Sequence, residues 1–229
     1  MINYVRIPRY ILKCDGQDDV RVCTYVYLCR KRALDDTVGL TINSLVAGSG
    51  YKPNGRSGEI NSKFVSVLKD FADDLHFHSY PNFDSCKYTD FIELKLNIDK
   101  FDILENFGII FLSEADKILE HKTQAGKLLL ILAYIRINKM RRGRGYVGKL
   151  SDKPEIYYRR FCDLAKDLNM APRTVSNGVK ILSEMDIIVY KEIPRKKDVS
   201  GNWRSHTNIF VDKCDGWEQE LRWGEQLLI

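Results

Sequence analysis

LAKDLNMAPRTVSNGVKILSEMDII, residues 164–188, holds two apolar stripes at helical spacing with a short break between them. Leu164, Ala165 and Leu168 form the first stripe, and Val175, Val179 and Leu182 the second. Steps of three and four place each set on one helix face. Pro172 fits the first turn of the second helix, because its missing amide would have no intrahelical partner there. The spacing predicts a short helix, a tight turn and a second helix over 172–185. Its outward face would carry Arg173, Thr174, Ser176, Asn177 and Lys180. Asp186 stands where glycine often ends such a helix, a left-handed position that Asp tolerates.

Working outward, two β-prone runs at 187–193 and 207–211 flank a basic loop, PRKKDVSGNWRSH. Two helices followed by a hairpin with a basic tip is the order of a winged helix-turn-helix, which lays one helix in the major groove and its hairpin on phosphates. The expectation is therefore a surface that meets double-stranded DNA. Arg173 suits guanine and Asn177 adenine, while Ser176 and Lys180 suit phosphate, and Thr174 is counted in the same DNA-binding surface. Arg195, Lys196, Lys197 and Arg204 would neutralise phosphates, with Trp203 stacked or wedged at the groove edge. Arg141, Arg142 and Arg144, interleaved with glycines, are placed on the backbone as well. Gly178 is unusual, since a mid-helix glycine costs about 1 kcal/mol relative to alanine. It would allow close approach either to DNA or to a neighbouring helix. The plainer alternative is a solvated face used only for protein contacts.

The preceding and opening segments repeat the plan. In the second half, Ser113-Glu-Ala-Asp116 resembles a capping box. Residues 126–139 form a strongly apolar helix, and residues 157–168 the helix before the turn. In the first half, residues 5–12 are extended, and residues 20–33 suit a helix burying Val20, Cys23 and Tyr27. Thr41 caps a short second helix. A third helix near 59–75 buries Ile60, Phe64, Leu68, Phe71 and Leu75. Two β-prone runs, 76–80 and 90–97, follow. The fold class expected is α+β, mainly α, with two tandem winged helix-turn-helix domains. The boundaries are 1–100 for the first, 101–112 for a connecting segment, 113–213 for the second, DNA-reading domain, and 214–229 for a C-terminal helical tail. The connector is rich in Phe, Ile and Leu, unlike a free linker. Trp217, Leu221 and Leu228 in the tail suit packing on the body or on a second subunit. Arg56, Asn61 and Lys63 open the first domain's third helix and are weaker DNA candidates, because Glu59, Asp70, Asp73 and Asp74 share that helix.

Charge distribution agrees with this assignment. Net charge is +5, but residues 136–204 hold 17 Lys or Arg against 8 Asp or Glu, leaving 19 against 23 elsewhere. Positive charge thus concentrates around the best helix-turn-helix. A composition of 44% apolar, 29% charged and 11% aromatic residues is that of a globular protein rather than a disordered one. No apolar run approaches the ~20 residues that span a bilayer. The N-terminus lacks a secretory core, so a cytoplasmic address is expected. Six scattered cysteines and four histidines show no zinc spacing. No metal, cofactor or disulfide framework is expected.

Two short patterns suggest enzymes instead. Gly50-Tyr-Lys-Pro-Asn-Gly55-Arg56-Ser57 resembles a phosphate-binding loop with Arg for Lys, but Pro53 stiffens it. His76-Phe77-His78 has the metal-holding form of DNA-nicking initiators, with Tyr157 or Tyr158 as a candidate nucleophile. Three-residue patterns arise easily, and a wet histidine pair is the simpler reading.

The lead-in YVRIPRYIL at 4–12 resembles the opening of RepA-type initiator N-terminal domains. GKLLLILAYIR at 126–136, with the helix-turn-helix quoted above, is similar to their DNA-reading modules and to phage replisome-organiser proteins. The resemblance implies plasmid or phage replication initiation by origin recognition, without intrinsic catalysis. Implied partners are duplex DNA, replication proteins and a second copy in a homodimer. A winged-helix transcriptional regulator is the nearest alternative, and a metal-dependent nicking enzyme a more distant one.

Overall fold

A computed structural model describes residues 3–54, 58–75, 77–97, 106–140, 154–194, 196–197, 203–204 and 206–228. The fold is mixed α+β and mainly helical, with eight α-helices and four small sheets among the described residues. The chain divides into two units, Met1–Ala133 and Tyr134–Ile229.

Unit 1 is built round helix α1 (Asp18–Lys31), whose sequence VRVCTYVYL has no polar stripe. Every residue from Val20 to Leu28 is buried. A helix apolar on all sides belongs inside a core. Arg21 lies within that core, and the cost of burying its charge is offset by Asp15 at 2.5 Å and Asp70 at 2.6 Å. Strand β1 (Tyr4–Pro8) precedes α1. After α1 come β2 (Thr37–Leu40), α2 (Ile42–Gly48), α3 (Glu59–Leu75), β3 (His78–Tyr80) and β4 (Ile92–Lys95). The sheet order is β2-β4-β3, antiparallel throughout. Strand alternation puts Ile92 and Leu94 in the core and Glu93 and Lys95 outside. Thr41 caps α2 as its side chain accepts from the Ser44 amide at 3.0 Å.

The expected connector at 101–112 is not where the chain divides. Phe107–Phe111 forms β5, antiparallel to β1, with Val5 opposite Ile110 and Ile7 opposite Gly108. Its alternating apolar residues are used as a strand within unit 1, while residues 101–105 lie outside the described set. The expected capping box at Ser113–Asp116 is corrected: helix α4 (Leu112–Leu119) has Phe111 as its N-cap, two residues earlier, with the Phe111 amide donating to Glu114 Oε2 at 2.9 Å. The unit boundary falls within α5 (Ala125–Asn138).

Unit 2 continues from the end of α5 through β6 (Tyr157–Arg159), α6 (Phe161–Asp167), α7 (Pro172–Glu184) and β7 (Ile188–Ile193). A ribbon of β8 (Lys196–Lys197) and β9 (Trp203–Arg204) leads to β10 (Thr207–Asp212), and α8 (Trp217–Leu228) ends the chain. The main sheet is β6-β10-β7. The series α1-β2-α2-α3-β3-β4 and α5-β6-α6-α7-β7-β10 thus share one order with the last strand central in each sheet, α5 itself spanning the unit boundary and the β8–β9 ribbon standing between β7 and β10. One expected helix is corrected: residues 157–159 are strand, because Tyr157 stacks on Phe210 at 5.8 Å within the sheet. Cross-strand pairing outweighed the helical spacing read into that stretch.

The C-terminal residues are not a detached tail. Trp217, Leu221 and Leu228 of α8 pack on Ile156, Ile193, Ile209 and Val211. Gly224 makes this approach possible, since a Cβ there would lie 2.8 Å from Ile156 Cδ1. Asp212 ties the end of β10 to α5, accepting from Arg136 Nε at 2.7 Å and Lys139 Nζ at 2.8 Å. Burial alone would raise the Asp212 pKa, but the two cations hold it below the usual carboxylate range. Among the described residues, no helix is long and apolar enough to cross a membrane.

Candidate nucleic-acid interface

The turn between α6 and α7 is set by local hydrogen bonds. The Leu168 amide donates to Leu164 O at 3.0 Å, Asn169 takes φ 51°, and the Met170 amide returns to Ala165 O at 2.8 Å. This closure satisfies the carbonyls at the end of α6 and starts α7 at Pro172. Leu164, Ala165 and Leu168 are buried on α6, as are Val175, Val179 and Leu182 on α7. Gly178 is buried with them, so its missing side chain serves the packed side of α7 rather than the open one. At the far end Asp186 adopts φ 58°, and the Ile187 amide reaches back to Leu182 O at 3.1 Å. The left-handed stop expected there is present.

Burying one stripe leaves the other free. Ala171, Pro172, Arg173, Asn177 and Lys180 are exposed, with Thr174 and Ser176 partly so. Arg173, Asn177 and Lys180 make no side-chain hydrogen bond or ion pair with another described residue. Such a row offers unused donors along the open face of the helix, from its first turn to its third. Beyond β7 the chain forms the small β8–β9 ribbon, with Lys196 opposite Arg204 and Lys197 opposite Trp203. Arg195, Arg141, Arg142 and Arg144 lie outside the described residues, as does Arg56. The flanks of the arginine segment are pinned together, the Met140 amide donating to Ile156 O at 2.8 Å beside the Lys139–Glu155 pair at 3.3 Å.

One cationic group escaped the sequence reading. Arg159, Arg160 and Lys166 are exposed on β6 and α6. Asp167 holds Arg159 in a fork at 3.0 and 3.1 Å, and Asp163 holds Arg160 at 2.5 and 3.0 Å. The hydrogen bond from Arg160 holds the Asp163 carboxyl below the usual range. The basic pair Arg159-Arg160 directly before the helix-turn-helix was the available signal. Reading 157–168 as one helix hid it.

In unit 1, Asn61 is a correction. It is fully buried; its Nδ2 donates to Asn43 Oδ1 at 2.8 Å and its Oδ1 accepts from the Asn54 amide at 3.1 Å. Buried and bonded to Asn43 and Asn54, Asn61 does not present its amide on the surface of α3. Lys63 is exposed and paired with Glu59 at 3.2 Å.

Gly50 has φ 84° and a Cβ there would lie 2.7 Å from Lys122 O, so the glycine answers a packing demand. Tyr51 OH donates to Asp19 at 2.9 Å. His78 is exposed on β3, and His76 lies outside the described residues. Tyr157 is buried against Phe210, while Tyr158 is exposed. Among the described residues, no group of three or more His, Cys, Asp or Glu is placed to hold a metal ion. Comparison with protein-family models and with curated proteins finds no match.

Proposed function

We propose that the chain is a sequence-specific binder of double-stranded DNA built from two winged helix-turn-helix units, acting as a replication initiator at its origin. The reading is carried by one observation: α7 buries Val175, Val179 and Leu182 while leaving Arg173, Asn177 and Lys180 exposed along its open face, with no side-chain partner among the described residues. Unit 2 also holds the cationic excess, 19 basic against 13 acidic residues, where unit 1 holds 17 against 18. Lys and Arg of that excess neutralise phosphates and give salt-sensitive affinity. Arg173 and Asn177 supply bidentate donors to purine edges. The β8–β9 ribbon follows α7 and β7 in chain order, which supports reading it as a wing that tracks the backbone.

Selection of bound fragments from random duplexes, followed by anisotropy titration at several salt concentrations, tests this reading. The expected result is a defined motif and affinity that falls steeply with salt. A chain that retains no duplex even in dilute buffer refutes it.

A further inference from the structure

The two units share an element order but finish their third helix differently. In unit 2 the residues that enter α7, Ala171, Pro172 and Arg173, are all exposed. In unit 1 the residue before α3, Gly58, is buried and Ile60 half-buried, while Glu59 between them is exposed. What covers Gly58 is Tyr88, from the loop between β3 and β4. A Cβ on Gly58 would lie 3.0 Å from Tyr88 Oη and 3.1 Å from its ring. Tyr88 Oη also lies 3.1 Å from Ser62 Oγ on the first turn of α3, and Tyr88 O accepts from the Asn43 amide of α2 at 3.0 Å.

The loop carrying Tyr88 is itself fastened. Asp90 accepts from the Lys87 amide at 2.8 Å, and the Asp90 amide donates back to Lys87 O at 3.0 Å. Phe83 is buried at the other end of the loop. The corresponding connection in unit 2 carries the β8–β9 ribbon instead. Unit 1's hairpin is therefore folded onto its own α2 and α3.

We infer that of the two counterpart helices α7 reads duplex DNA and α3 does not, because Tyr88 closes α3 against the groove. This rests on the duplex-binding reading of unit 2. A helix enters the major groove by its N-terminal residues, and a ring seated on Gly58 occupies that approach. Charge points the same way. Along α3, Lys63 is spent on Glu59 and Asp73 is exposed, a surface that repels phosphate. Among the described residues, α3 of unit 1 presents no base contact, and the recognised site is set by α7.

The test compares the full-length wild type with Lys63→Glu and Lys180→Glu by selection from random duplexes and by titration. Lys63→Glu is expected to keep the selected motif and stay within about twofold of wild-type affinity, while Lys180→Glu loses about tenfold or more. A tenfold loss in Lys63→Glu, or a motif position erased by it, overturns the assignment to one unit. A wild type that binds no duplex overturns the function itself. Closure is measured without DNA: trypsin cleavage after Lys87 is expected to be slow in the wild type and about tenfold faster in Tyr88→Ala, at temperatures where both remain folded by circular dichroism. Equal cleavage rates overturn the latch.

Discussion

Asn61 lies in the first turn of α3 and Asn177 in the second turn of α7, and replacing each by alanine has opposite consequences. Asn61→Ala removes the donor to Asn43 Oδ1 and the acceptor of the Asn54 amide, leaving two polar groups with a lost partner in a buried setting. Each such group costs about 1–3 kcal/mol, and partial access of water to Asn54 and Asn43, both half-buried, puts the total near the lower end, about 2–4 kcal/mol. Asn177 is exposed and unpaired, so alanine there costs nothing in packing and gains a few tenths of a kcal/mol, roughly, in helix propensity. Its loss is expected instead in discrimination, about 1–3 kcal/mol at one base position. Urea denaturation of both variants, with each titrated against the selected duplex and its single-base variants, separates the two effects. The reasoning is refuted if Asn61→Ala unfolds within about 0.5 kcal/mol of wild type. It is equally refuted if Asn177→Ala binds every base variant as the wild type does.

Three further outcomes are expected. Asp212→Asn strips the shared anion from Arg136 and Lys139, which are largely buried, and should cost about 3–5 kcal/mol by denaturant titration. Because the folded Asp212 pKa is depressed, its stabilisation is full above the unfolded value of about 3.9 and fades as pH falls through the lower folded value. Acid unfolding of the wild type should therefore steepen below about pH 4, a component absent from Asp212→Asn. Gly50→Ala combines a left-handed φ with a contact against Lys122 O and should lower stability by about 2 kcal/mol or more, leaving duplex affinity of the folded protein unchanged. Lys196→Ala with Lys197→Ala should weaken binding to all sequences alike and reduce the log–log salt slope by about 2.

What was legible in the chain alone was whatever local periodicity and turn chemistry dictate. The stripe Val175, Val179, Leu182 fixes which side of α7 is buried, Pro172 fixes where it begins, and Asp186 where it stops. Thr41 at α2 and the stripe on α3 were equally readable, because caps and i, i+3, i+4 spacing act within a few residues. Tertiary structure decided whatever depends on partners distant in sequence. Phe107–Phe111 became a strand because β1, about a hundred residues earlier, pairs with it. Residues 157–159 became a strand because β10 does the same. Asn61 and Asn177 look alike in the string, yet one is enclosed by Asn43 and Asn54 while the other faces outward. Only packing between elements chooses which polar groups are consumed inside the protein and which remain to meet a ligand, since a buried donor must find its partner within the fold and an exposed one need not.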